Sequence, residues 1–309
     1  MLSTTRFAGP WAGLPVSWHD DDTLDEPTYR EDVARCCRVG VPGVYTAGTT
    51  GEFYAMDDAE WDRVAQATVE VARAHGTPVM LGVTATYTRG AVCRARRAAA
   101  LGADAIQVAL PFWMEVPDAQ VVPFFRAVGE AADGLAVSVY ETTRCRKVLT
   151  LEQHMAIKEA VPGYQMVKAN AGTLGASPEG CRQLSAFVSV FVGEHLWGAL
   201  CPHGARGGCS SIVYWNPRVI LDLWRRAEAA DWDALASGCA RLACLDEFLG
   251  ARYAPLGFTD TAYDRMGARA FGFLQTSLRN RGPYVSPTAT DVADLRQWCQ
   301  EHLPEMLAL

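Results

Sequence analysis

The stretch Val79-Met-Leu-Gly-Val83 contains the unit from which the fold can be inferred. None of its five residues is polar, so both faces of a strand formed here would be buried, as is typical of parallel sheets. Residues 88–101 follow with apolar side chains at helical spacing, and another short apolar run begins at residue 105. The order of strand, helix and strand predicts a βα unit whose strands lie parallel.

The same unit recurs along most of the chain. Strands are predicted at residues 13–17, 43–46, 79–83, 105–109, 136–140, 165–169, 188–192 and 207–212. Helices are predicted at residues 27–39, 57–75, 88–101, 117–132, 151–159 and 177–184. Eight strands that alternate with helices favour a closed (β/α)8 TIM barrel over a doubly wound sheet.

The strand pattern stops at about residue 214, and only helical patterns follow. These helices are predicted at residues 217–230, 232–249, 261–274 and 289–302. We therefore expect a barrel catalytic domain over residues 1–215. A C-terminal helical part over residues 216–309 would include the last barrel helix.

Composition excludes several classes of function. Half of the 309 residues are hydrophobic and a fifth are charged, which is ordinary for a globular protein. The net charge of −7, without a basic patch, argues against a nucleic-acid partner. The chain has no run of 18 apolar residues and no apolar leader, so neither a membrane partner nor a signal peptide is expected. Ten cysteines without a CxxC motif are typical of reduced thiols, and we expect a cytoplasmic protein.

Only three lysines occur in the chain, and one of them interrupts a predicted strand. The three are Lys147, Lys158 and Lys168, and Lys168 ends the run Gly163-Tyr-Gln-Met-Val-Lys168. Burial disfavours a charged lysine, and a neutral amine is a good nucleophile toward a carbonyl carbon. The alternative is an amphipathic side chain that reaches solvent at the strand end.

Two further groups are expected at the same end of the barrel, where TIM barrels place their reactive residues. Tyr140 ends the fifth predicted strand, and Gly48-Thr-Thr-Gly-Glu52 follows the second. A loop of glycine and threonine offers N–H and hydroxyl donors to a carboxylate. Amine, phenol and anion site together favour Schiff-base chemistry on a 2-keto acid. Alternatively, Tyr140 fills the barrel and the glycine-threonine segment is an ordinary turn.

With the motif at residues 48–52, Tyr140, and Lys168 28 residues later, the chain resembles the dihydrodipicolinate synthase / N-acetylneuraminate lyase family of class I aldolases. The resemblance spans about residues 13–249. It implies a (β/α)8 barrel with a C-terminal helical part, usually tetrameric. It also implies that Lys168 forms the Schiff base and that Tyr140 shuttles protons. Thr49 would relay through its hydroxyl, while Thr50 with nearby backbone N–H groups such as that of Gly48 would hold the pyruvate carboxylate.

Two segments depart from the synthase pattern. The synthases have Pro-Tyr-Tyr after the fourth strand, but this chain has Leu110-Pro-Phe-Trp113, and the indole of Trp113 cannot relay a proton. After Tyr140 comes Glu141-Thr-Thr-Arg-Cys-Arg146, in which Cys145 takes the position of an arginine that grips a second carboxylate. Arg144 or Arg146 could substitute for it, and Glu141 would add negative charge to the site. Lysine-pathway synthase activity is therefore not expected.

Other features resemble the hydratase-aldolase branch of this family, which processes benzylidenepyruvates. They are Pro-x-Trp ending at Trp113, Trp197 before a glycine-rich segment, and Arg281-Gly-Pro-Tyr284. Trp113 would then stack on a flat aldehyde, and Gly208, in Gly204-Ala-Arg-Gly-Gly208, would shape the substrate pocket. Alternatively, Trp113 and Trp197 are packing residues, or the glycine-rich segment binds phosphate.

We expect no cofactor other than the covalent imine at Lys168. His19 with Asp20, Asp21 and Asp22 could suggest a metal site, but no spaced second set of ligands accompanies them, so a solvated loop is predicted. The expected activity is that of a class I lyase or aldolase, with a 2-keto acid and an aldehyde as partners in a homo-oligomer. The alternatives are dihydrodipicolinate synthase, a sugar-acid dehydratase, and a non-catalytic homologue that binds a keto acid. The aldehyde and the direction of reaction are not specified by the sequence.

Overall fold

The computed structural model describes residues 2–308, which contain a closed barrel of parallel strands that pair in chain order. The strands are β1 Gly9–Gly13, β2 Val44–Thr46, β3 Val79–Gly82, β4 Ala105–Val108, β5 Ala136–Tyr140, β6 Tyr164–Lys168, β7 Ser189–Phe191 and β8 Ala205–Ser210. β8 pairs with β1 and closes the barrel. The predicted TIM barrel is confirmed.

Helices cover the outside of the barrel and form the C-terminal part. They are α1 Glu26–Arg38, α2 Asp58–Ala74, α3 Thr88–Leu101, α4 Asp118–Ala131, α5 Leu151–Ala160, α6 Pro178–Ser185, α7 Trp197–Leu200, α8 Pro217–Glu228, α9 Trp232–Tyr253, α10 Asp260–Phe271 and α11 Ala289–His302. Several begin as their sequences predict, since Asp57 and Thr150 each form a capping box. Among residues 2–308, none of these helices has the length and hydropathy needed to cross a bilayer.

The first and last strands lie earlier in the chain than predicted. β1 ends at Gly13, and the apolar residues that follow, including Leu14, Val16 and Trp18, are buried beyond the barrel. Their apolar sequence resembles that of a buried strand because they pack against the C-terminal part, where the Val16 carbonyl accepts a hydrogen bond from Arg265. β8 ends at Ser210 because residues 212–214 form a 3₁₀ turn that leads to α8.

Large side chains fill the lower half of the barrel. The inward-facing cluster consists of Phe7, Trp11, Tyr45, Met80, Ala105, Ala136, Met166 and Phe191, all buried. Phe7 and Trp11 stack with ring centroids 5.1 Å apart across the N-terminal end. The interior is therefore a packed core, and a ligand can enter only at the C-terminal ends of the strands.

A fully buried ion pair joins the C-terminal part to the barrel. Glu52 lies just after the β2 loop, with a left-handed φ of 52°, and its carboxylate contacts the guanidinium of Arg265 in α10. Trp18 Nε1 also donates to Glu52, at 2.7 Å, as does the backbone N–H of Arg281, at 3.2 Å. Arg265 also donates to four further acceptors. These are the Val16 carbonyl at 2.7 Å, the Asn280 side chain at 2.8 Å, and the Thr276 hydroxyl and Ser277 carbonyl at 3.1 Å each. Both charges are thus surrounded by partners, as burial requires.

Removing one member of this pair should destabilise the protein strongly. In Arg265→Met the Glu52 carboxylate stays buried without its cation, and we expect a loss of about 3–5 kcal/mol in the free energy of unfolding. Urea unfolding followed by circular dichroism measures it.

The matched control for this experiment is Arg241→Met, which breaks the half-exposed contact with Glu305. This control should lose no more than about 1 kcal/mol. Equal losses in the two variants would show that the buried pair does not hold the C-terminal part in place.

Candidate active site

The ends of three strands bring Lys168, Tyr140 and Thr49 together. Tyr140 and Lys168 are register partners in the adjacent strands β5 and β6. Lys168 Nζ lies 4.2 Å from the centroid of the Tyr140 ring, and the Tyr140 hydroxyl lies 3.2 Å from Thr49 Oγ1. The amine, the phenol and the threonine hydroxyl therefore form one connected cluster at the open end of the barrel.

Two residues not identified from the sequence complete this cluster. Tyr45 faces inward from β2, and its hydroxyl lies 3.5 Å from Lys168 Nζ. Asn170, two residues after Lys168, places Nδ2 3.5 Å from the Tyr140 hydroxyl. The period-two alternation of β2 could have identified Tyr45, because Tyr45 is the strand's one inward residue between two outward ones.

The ionisation of Lys168 depends on opposing effects. Burial lowers the pKa of Lys168, but the electrostatic interaction with Tyr140 and Tyr45 outweighs burial and raises that pKa well above its usual range. Burial also raises the pKa of Tyr45, so at neutral pH its phenol is uncharged and acts as a dipole. The expectation of a neutral lysine considered burial alone. The amine becomes a nucleophile only after it has lost its proton.

A buried carboxyl from α10 lies beside the threonine loop. Asp264 is 5% exposed, and the hydroxyls of Thr50 and Ser211 adjoin it. Burial raises the pKa of Asp264 to about 7, against the lowering effect of these two hydroxyls. Asp264 was not identified from the sequence because α10 is distant in the chain from every barrel strand.

A cavity of about 250 Å³ opens from Tyr140 and Thr49 toward solvent. Five aromatic residues form much of its wall, and the others are small or polar. The lining residues are Thr49, Phe53, Tyr54, Thr84, Ala109, Phe112, Tyr140, Thr142, Arg144, Cys145, Thr259, Asp260 and Tyr284. An aromatic wall of this size suits a flat, apolar group next to the amine.

Of the two arginines considered for the missing carboxylate contact, only Arg144 lines the cavity. Its Nη1 and Nη2 donate to the two oxygens of Asp260 at 2.9 and 2.8 Å. Burial works to raise the pKa of Asp260, but the Arg144 guanidinium outweighs it and holds that pKa below its usual range. Arg146 is exposed and does not line the cavity, while Cys145 Sγ donates to the Leu110 carbonyl at 3.1 Å.

Trp113, which was expected to contact substrate, does not line this cavity. Its side chain is 74% exposed, on the outer side of the loop after β4. Phe112 lies in the cavity wall instead, edge-on to Phe53 with ring centroids 6.0 Å apart. Phe112 and Trp113 lie in a bend and their side chains border different spaces, so the aromatic wall is displaced by one position.

Glu141 was expected to add charge to the substrate site, but it points away from the barrel interior. Its Oε1 accepts a hydrogen bond from the Leu149 backbone at 3.0 Å, and Oε2 lies 3.2 Å from His154 Nε2. His154 Nδ1 in turn lies 2.8 Å from the Tyr164 hydroxyl. Because strand side chains alternate, the inward position of Tyr140 directs Glu141 to the outer layer.

Gly208 also faces outward, which corrects its assignment to the substrate pocket. A Cβ added there would lie 2.6 Å from the Val192 carbonyl oxygen and 3.4 Å from the ring of Trp197. Cys209 is the inward residue, with its Sγ 3.6 Å from Gln107 Nε2. Trp197 itself is fully buried against Trp224, as the packing alternative predicts.

The acidic residues after β1 are engaged in local contacts. Asp21 accepts hydrogen bonds from Thr23, and Asp22 pairs with Arg279 at 2.8 Å. Within residues 2–308, no three histidine, cysteine or acidic side chains are placed to hold a metal ion together.

Comparisons with known proteins agree with this geometry. Residues 6–276 match the model of the dihydrodipicolinate synthetase family. The 4-hydroxy-tetrahydrodipicolinate synthase of Acidiphilium cryptum is 31% identical over 260 residues, which are 81% of this chain and 85% of the relative. The N-acetylneuraminate lyase of an Enterobacter species is 26% identical over 242 residues, 77% of this chain and 80% of the relative.

Among solved structures, the YagE prophage protein of E. coli K12 in complex with pyruvate superposes with a TM-score of 0.83. It is 20% identical, and the match covers 96% of this chain and 98% of YagE, so it supports the fold alone. The family match spans most of the chain. The alignments with the synthase and the lyase each cover more than three quarters of the relative's length. The chain therefore belongs to the dihydrodipicolinate synthetase family, whose members are lyases.

Proposed function

We propose that the chain is a class I lyase or aldolase that acts on pyruvate or a related 2-keto acid through an imine at Lys168. One observation carries the proposal: the Lys168 amine lies against Tyr140, whose hydroxyl is 3.2 Å from Thr49, beside an aromatic cavity. The family relationship, with relatives that are a 4-hydroxy-tetrahydrodipicolinate synthase and an N-acetylneuraminate lyase, also supports the proposal.

The proposed reaction begins when Lys168 Nζ attacks the keto carbon. The carbinolamine takes a proton from Tyr140 and loses water to give an iminium ion, which withdraws electrons from C3 so that a C3 proton can pass to the Tyr140 phenolate. The resulting enamine carbon bonds to the aldehyde carbon, and the aldehyde oxygen takes a proton from Tyr140, which Thr49 helps to supply. Water then hydrolyses the imine and frees Lys168, and the reverse sequence cleaves the carbon–carbon bond.

The two ends of the substrate would occupy different surroundings. Thr50 and the N–H groups of the Gly48 loop are proposed to hold the keto-acid carboxylate, as the family resemblance implies. The aldehyde part would enter the cavity, where Phe112, Tyr54 and Tyr284 offer ring faces or edges. This division favours a hydratase-aldolase-like activity on a flat aldehyde.

Dihydrodipicolinate synthase activity is the second candidate, and Arg144 is the observation that favours it. A guanidinium in the cavity wall could hold the carboxylate of an acidic aldehyde. Two observations argue against this activity. Arg144 is already paired with Asp260, and Trp113 stands after β4 where the synthases have a tyrosine.

Borohydride reduction in the presence of pyruvate should trap the adduct at Lys168, because only this lysine lies in the Tyr140–Thr49 cluster. Peptide mass mapping gives the position, and Lys168→Arg should abolish the adduct. Lys158→Arg is the matched control and should retain it, since Lys158 bonds the Tyr164 carbonyl away from the site.

Adduct formation should be equal with and without EDTA, because the imine serves as the electron sink that a metal supplies in other aldolases. An adduct on another lysine, or none, would contradict the mechanism. If EDTA abolished adduct formation and added metal restored it, a metal would take part in the reaction and the expectation of a metal-free mechanism would be wrong.

Substrate binding should weaken as the pH rises through about 7. Asp264 is uncharged below its pKa of about 7 and anionic above it, beside the Thr50 hydroxyl proposed to hold the pyruvate carboxylate. About 1 kcal/mol of repulsion would raise the KM for pyruvate roughly five-fold between pH 6 and 8. Asp264→Asn should remove this rise, as measured by steady-state kinetics across the pH range.

The control for the pH experiment is Asp32→Asn. Burial raises the pKa of Asp32 to about 6, but its carboxylate accepts the Gln275 N–H, away from the threonine loop. This variant should keep the wild-type pH dependence. If Asp264→Asn keeps it as well, Asp264 does not act on the bound carboxylate.

We further propose that the chain forms a homo-oligomer, a dimer or tetramer. Tyr87, Trp113 and Met114, on the loops after β3 and β4, are each more than half exposed, which is unusual for such large apolar side chains. Light scattering should give a multiple of 33.6 kDa, and Trp113→Glu should shift the mass toward the monomer. A wild-type mass of one chain would contradict the proposal.

A further inference from the structure

The Arg144–Asp260 pair spans two distant parts of the chain at the mouth of the cavity. Arg144 lies in the 3₁₀ turn after β5, and Asp260 is the first residue of α10. Two parallel N–H···O contacts of 2.9 and 2.8 Å join them. Their side chains are 56% and 46% exposed, so the pair lies where an entering aldehyde would pass.

This geometry occupies the donors that would otherwise recognise a substrate carboxylate. The planar guanidinium binds a carboxylate best through two parallel N–H groups, and Asp260 holds both terminal nitrogens. Asp260 also lies in the first turn of α10, where the helix dipole favours its negative charge. A carboxylate on the substrate would have to displace one that is already in place within the same molecule.

The rest of the cavity offers no substitute cation. Its other lining residues are aromatic, aliphatic, thiol or hydroxyl side chains. Under the proposed function Lys168 forms an imine with the keto carbon and so cannot bind a carboxylate. With Arg144 and Asp260 neutralising each other, the part of the cavity that receives the aldehyde has no net charge.

We propose that Asp260 is a specificity-determining residue that masks Arg144 and so makes the cavity select uncharged aldehydes over aldehydes that carry a carboxylate. This inference rests on the proposed function. Removing the Asp260 charge should release Arg144 to bind an acidic aldehyde without any change at Lys168, Tyr140 or Thr49.

The test compares benzaldehyde with 3-carboxybenzaldehyde as acceptors for pyruvate, since the two share the ring and differ in the carboxylate. The readout is the ratio of kcat/KM for the acid to kcat/KM for the neutral aldehyde. This ratio should rise at least ten-fold in Asp260→Ala and Asp260→Asn. In the double variant Asp260→Ala/Arg144→Met it should return to within about three-fold of wild type, which assigns the gain to Arg144.

Two single variants sharpen the comparison. Arg144→Met alone should leave the ratio within about three-fold of wild type, because the masked arginine contributes little to binding the acid. Asp294→Asn, which breaks an ion pair with Arg252 outside the cavity lining, controls for the loss of a negative charge elsewhere. A ten-fold drop in Arg144→Met would show that Arg144 is already available, and would overturn the proposal.

A binding measurement separates this inference from the proposed function. Calorimetry with benzyl alcohol and 3-(hydroxymethyl)benzoate gives the corresponding ratio of dissociation constants without turnover. If Asp260→Ala and Asp260→Asn change neither ratio while borohydride still traps pyruvate at Lys168, the masking proposal is wrong. If wild type forms no adduct at Lys168, the proposed function fails, and the binding ratio alone decides the role of Asp260.

Discussion

The buried contact between Glu52 and Arg265 is the interaction on which the arrangement of the site depends. Glu52 closes the loop that carries Thr49 and Thr50, and Arg265 lies in the same helix as Asp260 and Asp264. Two charges without access to water are stable only when their remaining donors and acceptors are satisfied. The contacts from Trp18, Arg281, Val16 and Asn280 meet that need. One pair thereby fixes the position of α10 relative to the threonine loop.

The loop itself is shaped by close backbone packing. Glu52 and Ala47 both adopt positive φ, and a Cβ at Gly51 or Gly82 would collide with the backbone of Ala47. These glycines let the loop fold down over the barrel, which brings the Thr49 hydroxyl to Tyr140. Strain near the site is thus stabilised by the ion pair beneath it, and the catalytic hydroxyls rest on a rigid support.

The lower barrel is a packed apolar core, whereas the upper end is an open cavity, and the reactive amine lies between them. Aromatic and sulfur-containing side chains exclude water below the site, so the Lys168 amine sits at the boundary between core and cavity. There burial opposes the positive charge of the amine, while its electrostatic interaction with the neighbouring phenols of Tyr140 and Tyr45 favours it. Above it, the aromatic wall and the internally neutral Arg144–Asp260 pair leave the cavity suited to an uncharged partner.

The sequence by itself determined the βα alternation and, with it, the meeting of Lys168, Tyr140 and Thr49, because parallel strands end at one rim. It did not determine which of two neighbouring residues faces inward: Phe112 rather than Trp113 lines the cavity, Cys209 rather than Gly208 faces the barrel interior, and Glu141 points outward after Tyr140. Local pattern constrains such directions weakly where extended segments and loops meet. The sequence also did not indicate the positions of three α10 residues, Asp260, Asp264 and Arg265, because α10 returns to the barrel mouth only through long-range packing. Only the tertiary structure decided that a helix more than 90 residues after Lys168 supplies the carboxylates that border the site, because contacts between distant segments leave no periodic signal in either one.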